Sequence, residues 1–306
     1  MIPLCAPENA KLPTALALGS FDGLHLGHKK VINAILKEPI GVPTVVSFWP
    51  HPREVLFGES RLRLDLPNEK TFLLEPLGIE QLVLVPFNKN LASKSAETFV
   101  EEVLAKTLQA KHIAVGENFR FGRNREGDTS TLEKIGASLG IKISIVPIVK
   151  DNHGRLSSSR VRKALNDGDL KHAKYLLKRP YTFRGTVEKG RGLGKKIGWP
   201  TANLKIDGRK FLPSLGVYAA WASIANKKER FLAVMNMGPQ PTIDPNSLSA
   251  VEVHLLDKEI NLLGHELIVE PVQRIRLQKK FENIEALSKQ ISSDAKLAKE
   301  ILTQKL

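Results

Sequence analysis

Two histidines stand three residues apart near the amino terminus, in the string Gly19-Ser20-Phe21-Asp22-Gly23-Leu24-His25-Leu26-Gly27-His28. An apolar run typical of a β-strand precedes the string, and a helical pattern follows it. Residues three apart on a helix lie about one turn apart, so His25 and His28 can donate hydrogen bonds to one phosphate group. The string therefore predicts a phosphate-binding turn where the first strand ends, with glycines that let a nucleotide approach the backbone. A catalytic zinc site would need a third ligand, which we do not find in the sequence.

A second anion-binding pattern occurs later, in Leu156-Ser157-Ser158-Ser159-Arg160-Val161-Arg162. Three hydroxyls and their backbone N–H groups at the start of a predicted helix, together with Arg162, form an anion site. The alternative is an ordinary serine cap of that helix.

The elements that position these residues alternate along the first half of the chain. Short apolar runs at 14–19, 43–48, 81–87 and 111–116 are separated by amphipathic segments at 28–38 and 95–109. A helical pattern at 131–140, an apolar run at 141–149 and two short helical patterns around Gly168 continue the series. This alternation predicts βαβ units and a parallel, doubly wound sheet, in a domain that spans residues 1–178.

The pattern changes from Tyr181 onward. Strand-like runs at 181–190, 216–225, 230–238, 249–257 and 265–276 are separated by Gly, Pro and Asn, which predicts a compact antiparallel barrel in residues 179–306. Apolar residues then recur at helical spacing from Phe281 and predict a helix packed on that barrel, at Ile284, Leu287, Ile291, Leu297 and Ile301. Within the run at 249–257, alternation directs Glu252, His254 and Leu256 to one face.

Length and composition agree with this organisation. A chain of 306 residues with 42% hydrophobic and 25% charged residues predicts two folded domains and excludes a disordered or fibrous protein. The single cysteine, Cys5, excludes an internal disulfide, and we find neither a secretory leader nor an apolar run long enough to span a membrane. A cytoplasmic protein is predicted.

The chain is basic, with 46 Lys and Arg against 32 Asp and Glu, a formal net charge of +14. Nine Lys and Arg and one acidic residue, Glu188, lie between Lys171 and Lys196. This stretch is either a solvated face or a surface that attracts phosphates. The charge also leaves open a nucleic-acid-binding protein, although the recognition patterns of the common RNA- and DNA-binding domains are missing and aromatic residues are only 6%.

The string Gly19–His28 resembles the HxGH nucleotidyltransferases, and in its longer form GxFDGxHxGH it resembles the adenylyltransferase half of the bacterial bifunctional riboflavin kinase/FAD synthetases. The resemblance extends over essentially the whole chain. It implies a Rossmann-like α/β nucleotidyltransferase domain followed by an antiparallel β-barrel flavokinase domain with a C-terminal helix.

The resemblance implies ATP contacts in the first domain at Gly19, Phe21, Asp22, Gly27, Ser157, Ser158, Ser159 and Arg162, with His25 and His28 as catalytic residues. Ser159 stands where the family usually has Thr. Two further segments resemble the family's FxPHP and GEDFRFG-like flavin segments and imply flavin contacts at Phe48, Pro50, His51, Pro52, Asn118, Phe119, Arg120 and Phe121. Asn118 replaces a frequent Asp but keeps a carbonyl acceptor, and the two phenylalanines are equally compatible with a core position.

In the second domain the glycine-rich loop from Gly190 leads into Pro200-Thr201-Ala202-Asn203 and is neither a Walker A motif nor a Rossmann fingerprint. Composition alone indicates a mobile surface loop, but with PTAN it resembles the flavokinases. That resemblance implies Mg²⁺ ligands at Thr201 and Asn203, whose oxygens suit a hard cation. It further implies a catalytic base at Glu252, a flavin contact at Arg276, and ATP contacts at Gly190, Gly194, Lys195 and Asn236.

Three positions depart from the family pattern in the second domain: Lys195 stands where Arg is frequent, Leu263 replaces the Tyr of LYG in Leu262-Leu263-Gly264, and Gln278 replaces the Glu of RxExKF. The expected function is phosphorylation of riboflavin to FMN and adenylylation of FMN to FAD, with ATP and Mg²⁺. The expected partners are these small molecules, without nucleic acid or membrane, for a monomer or weak homo-oligomer. The alternatives are an HxGH nucleotidyltransferase for another substrate class and a basic nucleic-acid-binding protein.

Overall fold

The computed structural model describes residues 1–37, 40–59, 61–190, 194, 197–238 and 250–304. The chain divides into two compact units, Met1–Ser158 and Ser159–Leu306. These limits assign the segment between residues 159 and 178 to the second unit, whereas the sequence pattern assigns it to the first. The domain limit at residue 178 therefore stays a prediction.

A six-stranded parallel sheet forms the centre of the first unit. Its strands are β1 (Leu4–Cys5), β2 (Thr14–Leu18), β3 (Val42–Trp49), β4 (Gln81–Pro86), β5 (Ala110–Gly116) and β6 (Lys142–Val146). They are ordered β1-β4-β3-β2-β5-β6, and every pair is parallel. The predicted parallel, Rossmann-like sheet is confirmed.

Helices connect these strands. They are α1 (Leu26–Leu36), α2 (Pro52–Phe57), α3 (Pro67–Leu74), α4 (Lys89–Ser93), α5 (Ala96–Thr98), which continues into a π-helix at Phe99–Thr107, and α6 (Thr129–Ser138). Short 3₁₀ turns occupy Pro7–Asn9, Glu75–Leu77 and Arg123–Arg125, and β7 (Lys150–Asp151) pairs with β8 (Gly154–Arg155). The sequence pattern does not reveal α3, because its buried side chains include Glu69, Lys70 and Thr71 in addition to Leu74. Polar residues on a buried face remove the apolar periodicity of a helix.

Strand β2 shows why the sheet is covered on both sides. All five of its residues are buried. Leu16 and Leu18 pack in a cluster with Phe99 of the π-helix, whereas Ala15 and Ala17 pack in another with side chains of α1. Successive side chains of a strand point to opposite faces, so a strand that is apolar throughout requires a helical layer on each face.

The second unit contains a closed six-stranded barrel. Its strands are β9 (Phe183–Glu188), β10 (Ala202–Lys205), β11 (Gly216–Ile224), β12 (Phe231–Gly238), β13 (Ala250–Leu255) and β14 (Glu266–Arg276). They close in the order β10-β13-β12-β11-β14-β9, with antiparallel neighbours throughout. The predicted barrel is confirmed, and β10, which begins inside PTAN, is a sixth strand that the apolar runs do not indicate.

In the described part of the second unit, three helices accompany the barrel: α7 (Ser158–Asp167), α8 (Leu170–Leu177) and α9 (Ile284–Thr303). Helix α9 packs against the barrel as predicted, and Ile301 contributes as predicted, but the buried contacts come from other side chains. Ala295, Ala298 and Leu302 are buried, whereas Ile284 and Leu297 are 57% and 41% exposed. The prediction that Ile284 and Leu297 pack on the barrel is wrong, because small alanines fit where a helix lies close to a sheet.

Candidate active sites

A cavity of about 230 Å³ lies at the carboxyl ends of β2, β5 and β6 in the first unit. The chain runs outward in opposite directions from β2 and β5, which makes this pair the topological switch point where open α/β sheets bind ligands. Eight residues with a predicted role line the cavity: Gly19, Phe21, His25, Gly27, His28, Asn118, Phe119 and Arg120. The fold thus brings the histidine string and the segment after β5 to one site.

The two histidines stack at the first turn of α1. His25 occupies the N-cap position, and its ring centroid lies 3.7 Å from that of His28, with 20° between the ring planes. A Cβ atom at Gly27 would lie 3.0 Å from His25 Cε1, so glycine permits this arrangement. The buried Nδ1 atoms of both rings have no hydrogen-bond partner among the described residues.

Burial keeps these imidazoles neutral. It lowers the pKa of His25 to about 4, assisted by the charge of Arg155 and opposed by that of Asp22. Burial also lowers the pKa of His28 well below its ordinary value, and the charges of His25, Lys70 and Arg155 act in the same direction. A neutral imidazole still carries one N–H donor, so each ring can donate one hydrogen bond to a phosphate oxygen at neutral pH.

The turn before the histidines has an unusual backbone. Phe21, Gly23 and Leu24 have φ angles of 45°, 91° and 44°, in the left-handed region that residues other than glycine rarely adopt. Asp22 anchors this turn, because its Oδ1 accepts a hydrogen bond from Leu64 N (2.8 Å) and its carbonyl accepts one from Ser158 Oγ (2.7 Å). Asp22, a predicted ATP contact, is only 6% exposed, and its hydrogen bonds hold the turn in shape.

Sequence reasoning missed Arg155, which lines the cavity. With the Asn118 amide oriented to satisfy both groups, its oxygen accepts hydrogen bonds from Arg155 Nη1 (3.2 Å) and Nη2 (3.1 Å). An Asp at position 118 would form an ion pair there, whereas Asn118 leaves the guanidinium charge less compensated. The signal in the sequence was the position of Arg155 immediately before the serine-rich segment.

Other predicted flavin residues lie beside the cavity lining rather than in it, among the residues that the structure describes. Phe121 belongs to the core, and Phe48 at the end of β3 packs against that core. His51 caps α2: its Nδ1 accepts from Arg53 N (3.2 Å), and its backbone N–H donates to Glu54 Oε2 (2.7 Å). Pro50 precedes this cap, and Pro52 is the first residue of the helix. Burial, followed by the charges of Arg61 and Arg63, lowers the pKa of His51 to about 4.

The serine-rich segment extends across the division between the units. Ser157 and Ser158 belong to the first unit, and the Ser158 hydroxyl donates to Asp22. Ser159 and Arg162 belong to the second unit, where the Arg162 guanidinium lies over the ring of Phe211, 5.6 Å from its centroid. The predicted phosphate contacts of these four residues stay predictions.

In the barrel, strand register aligns three of the predicted kinase residues. Asn203 on β10 pairs with Glu252 on β13, and Glu252 pairs in turn with Asn236 on β12. Residues directly opposite each other on neighbouring strands place their side chains on the same face. The three half-buried side chains therefore form one polar row, which combines a carboxylate with two amides.

The glycine-rich loop passes close to this row. A Cβ atom at Gly190 would lie 2.0 Å from Asn203 Nδ2, and one at Gly194 would lie 3.2 Å from Thr201 Oγ1. A Cβ atom at Gly194 would also lie 2.3 Å from Trp199 O, a backbone atom that cannot easily give way, so the close approach there requires glycine. Lys195, and residues 239–242 of the segment that follows Asn236, lie outside the described residues.

Neighbouring side chains orient the row. His254 Nδ1 lies 2.7 Å from Pro200 O, and because a carbonyl only accepts, this ring carries its proton on Nδ1. Gln278 Nε2 donates to Asn236 Oδ1 (2.5 Å) and Met237 O (3.1 Å). A Glu at position 278 could not donate these bonds, so the departure from the family pattern changes how Asn236 is held.

Arg276, the predicted flavin contact of the barrel, is engaged by α9. Its guanidinium forms a bidentate ion pair with Asp294, through Nε (2.9 Å) and Nη2 (2.8 Å) to Oδ2 and through Nε to Oδ1 (3.1 Å). It also lies over the ring of Phe281, 5.5 Å from the centroid. A flavin contact at Arg276 stays a prediction.

Two classes of feature are missing within the described part of the chain. No group of three or more His, Cys, Asp and Glu side chains is arranged to hold a metal ion there. Among the same residues, no helix combines the length and apolar character needed to span a membrane.

The fold and the cavity define the first unit as a nucleotide-binding α/β protein of the Rossmann-like class, followed along the chain by a separate β-barrel. Comparison with known protein families identifies the family of each part. The model of the FAD synthetase family matches residues 8–160, and that of the riboflavin kinase family matches residues 177–302.

Curated relatives named bifunctional riboflavin kinase/FMN adenylyltransferase match almost the whole chain. The Haemophilus influenzae protein is 34% identical and the Escherichia coli K12 protein 35% identical, each over 93% of this chain and over 93% and 91% of their own lengths. The Bacillus subtilis protein is 34% identical over 95% of this chain and 92% of its own. The chain belongs to the family of bifunctional riboflavin kinase/FMN adenylyltransferases.

The fold itself has a close counterpart in a crystal structure. A protein from Streptococcus pneumoniae named macrolide-efflux protein superposes with a TM-score of 0.83 at 28% identity. The match covers 97% of this chain and 98% of that one, so both units have equivalents in a single known structure.

Proposed function

We propose that this chain phosphorylates riboflavin to FMN in its barrel and adenylylates FMN to FAD in its α/β unit, releasing pyrophosphate. The observation that carries the proposal is the presence of two family matches in one chain, one over each half and in this order. The substrates are riboflavin, FMN and ATP. We place the limit between the two catalytic domains at residue 178.

In the adenylyl transfer, the nucleophile is the phosphate of FMN, which is already ionised near neutral pH. The site needs no general base and contributes alignment and stabilisation of the α-phosphate and the departing pyrophosphate. His25 and His28 donate hydrogen bonds to these groups, and their stacked rings present both donors to one region of the cavity. Arg155 adds a positive charge on the wall that Asn118 shares.

In the kinase reaction the nucleophile is an alcohol, which requires a base. Glu252 accepts the proton of the ribityl 5′-hydroxyl, and Asn203 and Asn236 on either side hold the triphosphate in line with it. Thr201 and Asn203 fit Mg²⁺, because both carry oxygen ligands and the backbone at Gly190 and Gly194 lies close to them. When bound, Mg²⁺ would neutralise phosphate charge.

The remaining predictions belong to the same proposal. The protein acts in the cytoplasm on small molecules, as a monomer or weak homo-oligomer, and the basic stretch from Lys171 to Lys196 attracts anionic substrates rather than nucleic acid. The proposal also includes flavin contacts, at Phe48, Asn118, Phe119, Arg120 and Arg276.

The test is a time course with riboflavin, ATP and Mg²⁺, in which flavins are separated by chromatography. The unaltered chain should form FMN and then FAD. His28→Ala should accumulate FMN with at least 100-fold less FAD, because a donor to the transferred phosphate is lost. Glu252→Gln should form no FMN, yet should convert supplied FMN to FAD. FAD formation by His28→Ala at the unaltered rate, or normal FMN formation by Glu252→Gln, would contradict the assignments.

A further inference from the structure

A buried lysine lies behind the histidine turn, outside the cavity. Lys70 is on α3 and is only 6% exposed, and its Nζ donates a hydrogen bond to Ser20 O (3.1 Å). It does not line the cavity that holds His25 and His28. An ammonium group is seldom buried without a function or an ion-pair partner, because desolvation of the charge is costly.

The carbonyl that Lys70 holds belongs to the strained turn. Ser20 directly precedes Phe21, the first of the residues with a left-handed φ. A second donor, Ser47 Oγ, reaches the same carbonyl at 3.2 Å from β3. Such a backbone conformation persists only where surrounding contacts enforce it.

Lys70 interacts with acidic and with basic groups. Burial lowers the pKa of Lys70, Asp22 and Asp65 favour its charged form, and the charge of Arg63 opposes it. The positive charge of Lys70 in turn lowers the pKa of His28, in the same direction as the charges of His25 and Arg155. Lys70 thus acts on His28 without touching the space where a nucleotide would bind.

We propose that Lys70 is a positioning residue of the nucleotide site: its ammonium holds the Ser20 carbonyl in place and sets a fixed positive charge behind the His25–His28 pair. The inference rests on the proposed adenylyltransferase function. Lys70 secures the geometry of the turn, and its field opposes protonation of His28, so the imidazole stays neutral and keeps a defined donor and acceptor.

The test compares Lys70→Met with Ser47→Ala, a matched control that removes the other hydrogen bond to the same carbonyl but no charge. We expect Lys70→Met to slow FAD formation from FMN at least tenfold, with riboflavin phosphorylation unchanged. In Lys70→Met, the acid limb of the pH profile of FAD formation should move to higher pH. The titration of His28, followed by NMR of ¹⁵N-labelled imidazoles, should move in the same direction. Ser47→Ala should lose less than threefold and keep the unaltered pH profile, and Lys70→Arg should restore both rate and profile.

Unaltered FAD formation by Lys70→Met would overturn the proposal. A rate that falls only in parallel with thermal stability, while the His28 titration stays in place, would also overturn it, because Lys70 would then have a purely structural role. If the unaltered chain forms no FAD, the proposed function fails, but the His28 titration in Lys70→Met still decides whether Lys70 acts on the histidine.

Discussion

At the scale of single residues, burial decides the charge of the groups around the nucleotide cavity. His25, His28 and His51 all have a pKa below the ordinary value, with desolvation as the largest cause in each case. Arginine and lysine side chains surround them and act in the same direction. This environment suits the binding of a polyphosphate by neutral histidines. The fixed cations supply positive charge, and the histidines supply directional hydrogen bonds.

These shifts predict that the first unit loses stability on mild acidification. A histidine whose pKa is lowered in the folded state binds more protons when unfolded, so the free energy of unfolding falls as pH drops from about 6.5 towards 4. Each such histidine contributes up to about 1.4 kcal/mol per pH unit in that window. Urea unfolding between pH 7 and 5 measures this slope.

The fluorescence of Trp49 isolates the first unit if Trp199 and Trp221, the other two tryptophans, are replaced by Phe. His28→Asn in that background should reduce the slope, because it removes one of the three groups. Replacement of His153, an exposed histidine on the turn between β7 and β8, is the control, because it removes a histidine without removing a buried group. An equal slope in His28→Asn and the unaltered chain would contradict the prediction.

At the scale of elements, strand register and helix packing assemble the barrel site. The row of Asn203, Glu252 and Asn236 exists because β10, β13 and β12 are neighbours in that register. A shift of one residue would move Glu252 to the opposite face of the sheet. Helix α9 then fixes the end of β14 through the ion pair between Asp294 and Arg276.

We expect Asp294→Ala to destabilise the barrel by about 3 kcal/mol, because it leaves a mostly buried guanidinium without its partner. Leu297→Ala on the same helix is the matched control: its side chain is 41% exposed, and its loss should cost only about 0.5 kcal/mol. Urea unfolding followed through Trp221 in a Trp49→Phe background measures both. Equal effects of the two substitutions would mean that general packing of α9, rather than the ion pair, stabilises this end of the barrel.

At the scale of the whole molecule, the lining of the cavity and the polar row of the barrel each lie within one compact unit. The cavity is lined entirely by residues before 158, and the Asn-Glu-Asn row lies entirely on barrel strands. FMN is the product of one reaction and the substrate of the other. Among the described residues, the cavity lining and the polar row have no member in common, so we expect the two reactions to proceed independently.

Mixing two variants that each lack one of the two activities tests this independence. Glu252→Gln and His28→Ala together should form FAD from riboflavin, since FMN released by one chain can be used by the other. FAD should appear after a lag that shortens as protein concentration rises. A mixture that accumulates FMN but no FAD, while Glu252→Gln alone converts supplied FMN, would show that FMN must pass within one chain.

Local patterns in the sequence were sufficient for much of the fold and of the sites. The strand-turn-helix context of His25 and His28, the alternation that directs Glu252 and His254 to one face, and the change of sequence pattern at Tyr181 all depend on residues a few positions apart. Their periods, about two for strands and 3.6 for helices, are properties of the backbone itself. They indicated both fold classes and eight of the eighteen residues that line the cavity.

Only the tertiary structure decided what surrounds those residues. Ser158 reaches Asp22 across 136 positions in the chain, Lys70 reaches Ser20 across 50, and Leu64 reaches Asp22 across 42. The buried polar face of α3 hid that helix from any apolar pattern, and Arg155 acquires its role from its position opposite Asn118. Such contacts depend on the order of strands in the sheet and on close packing between elements, which bring distant residues together and leave no periodic signal along the chain.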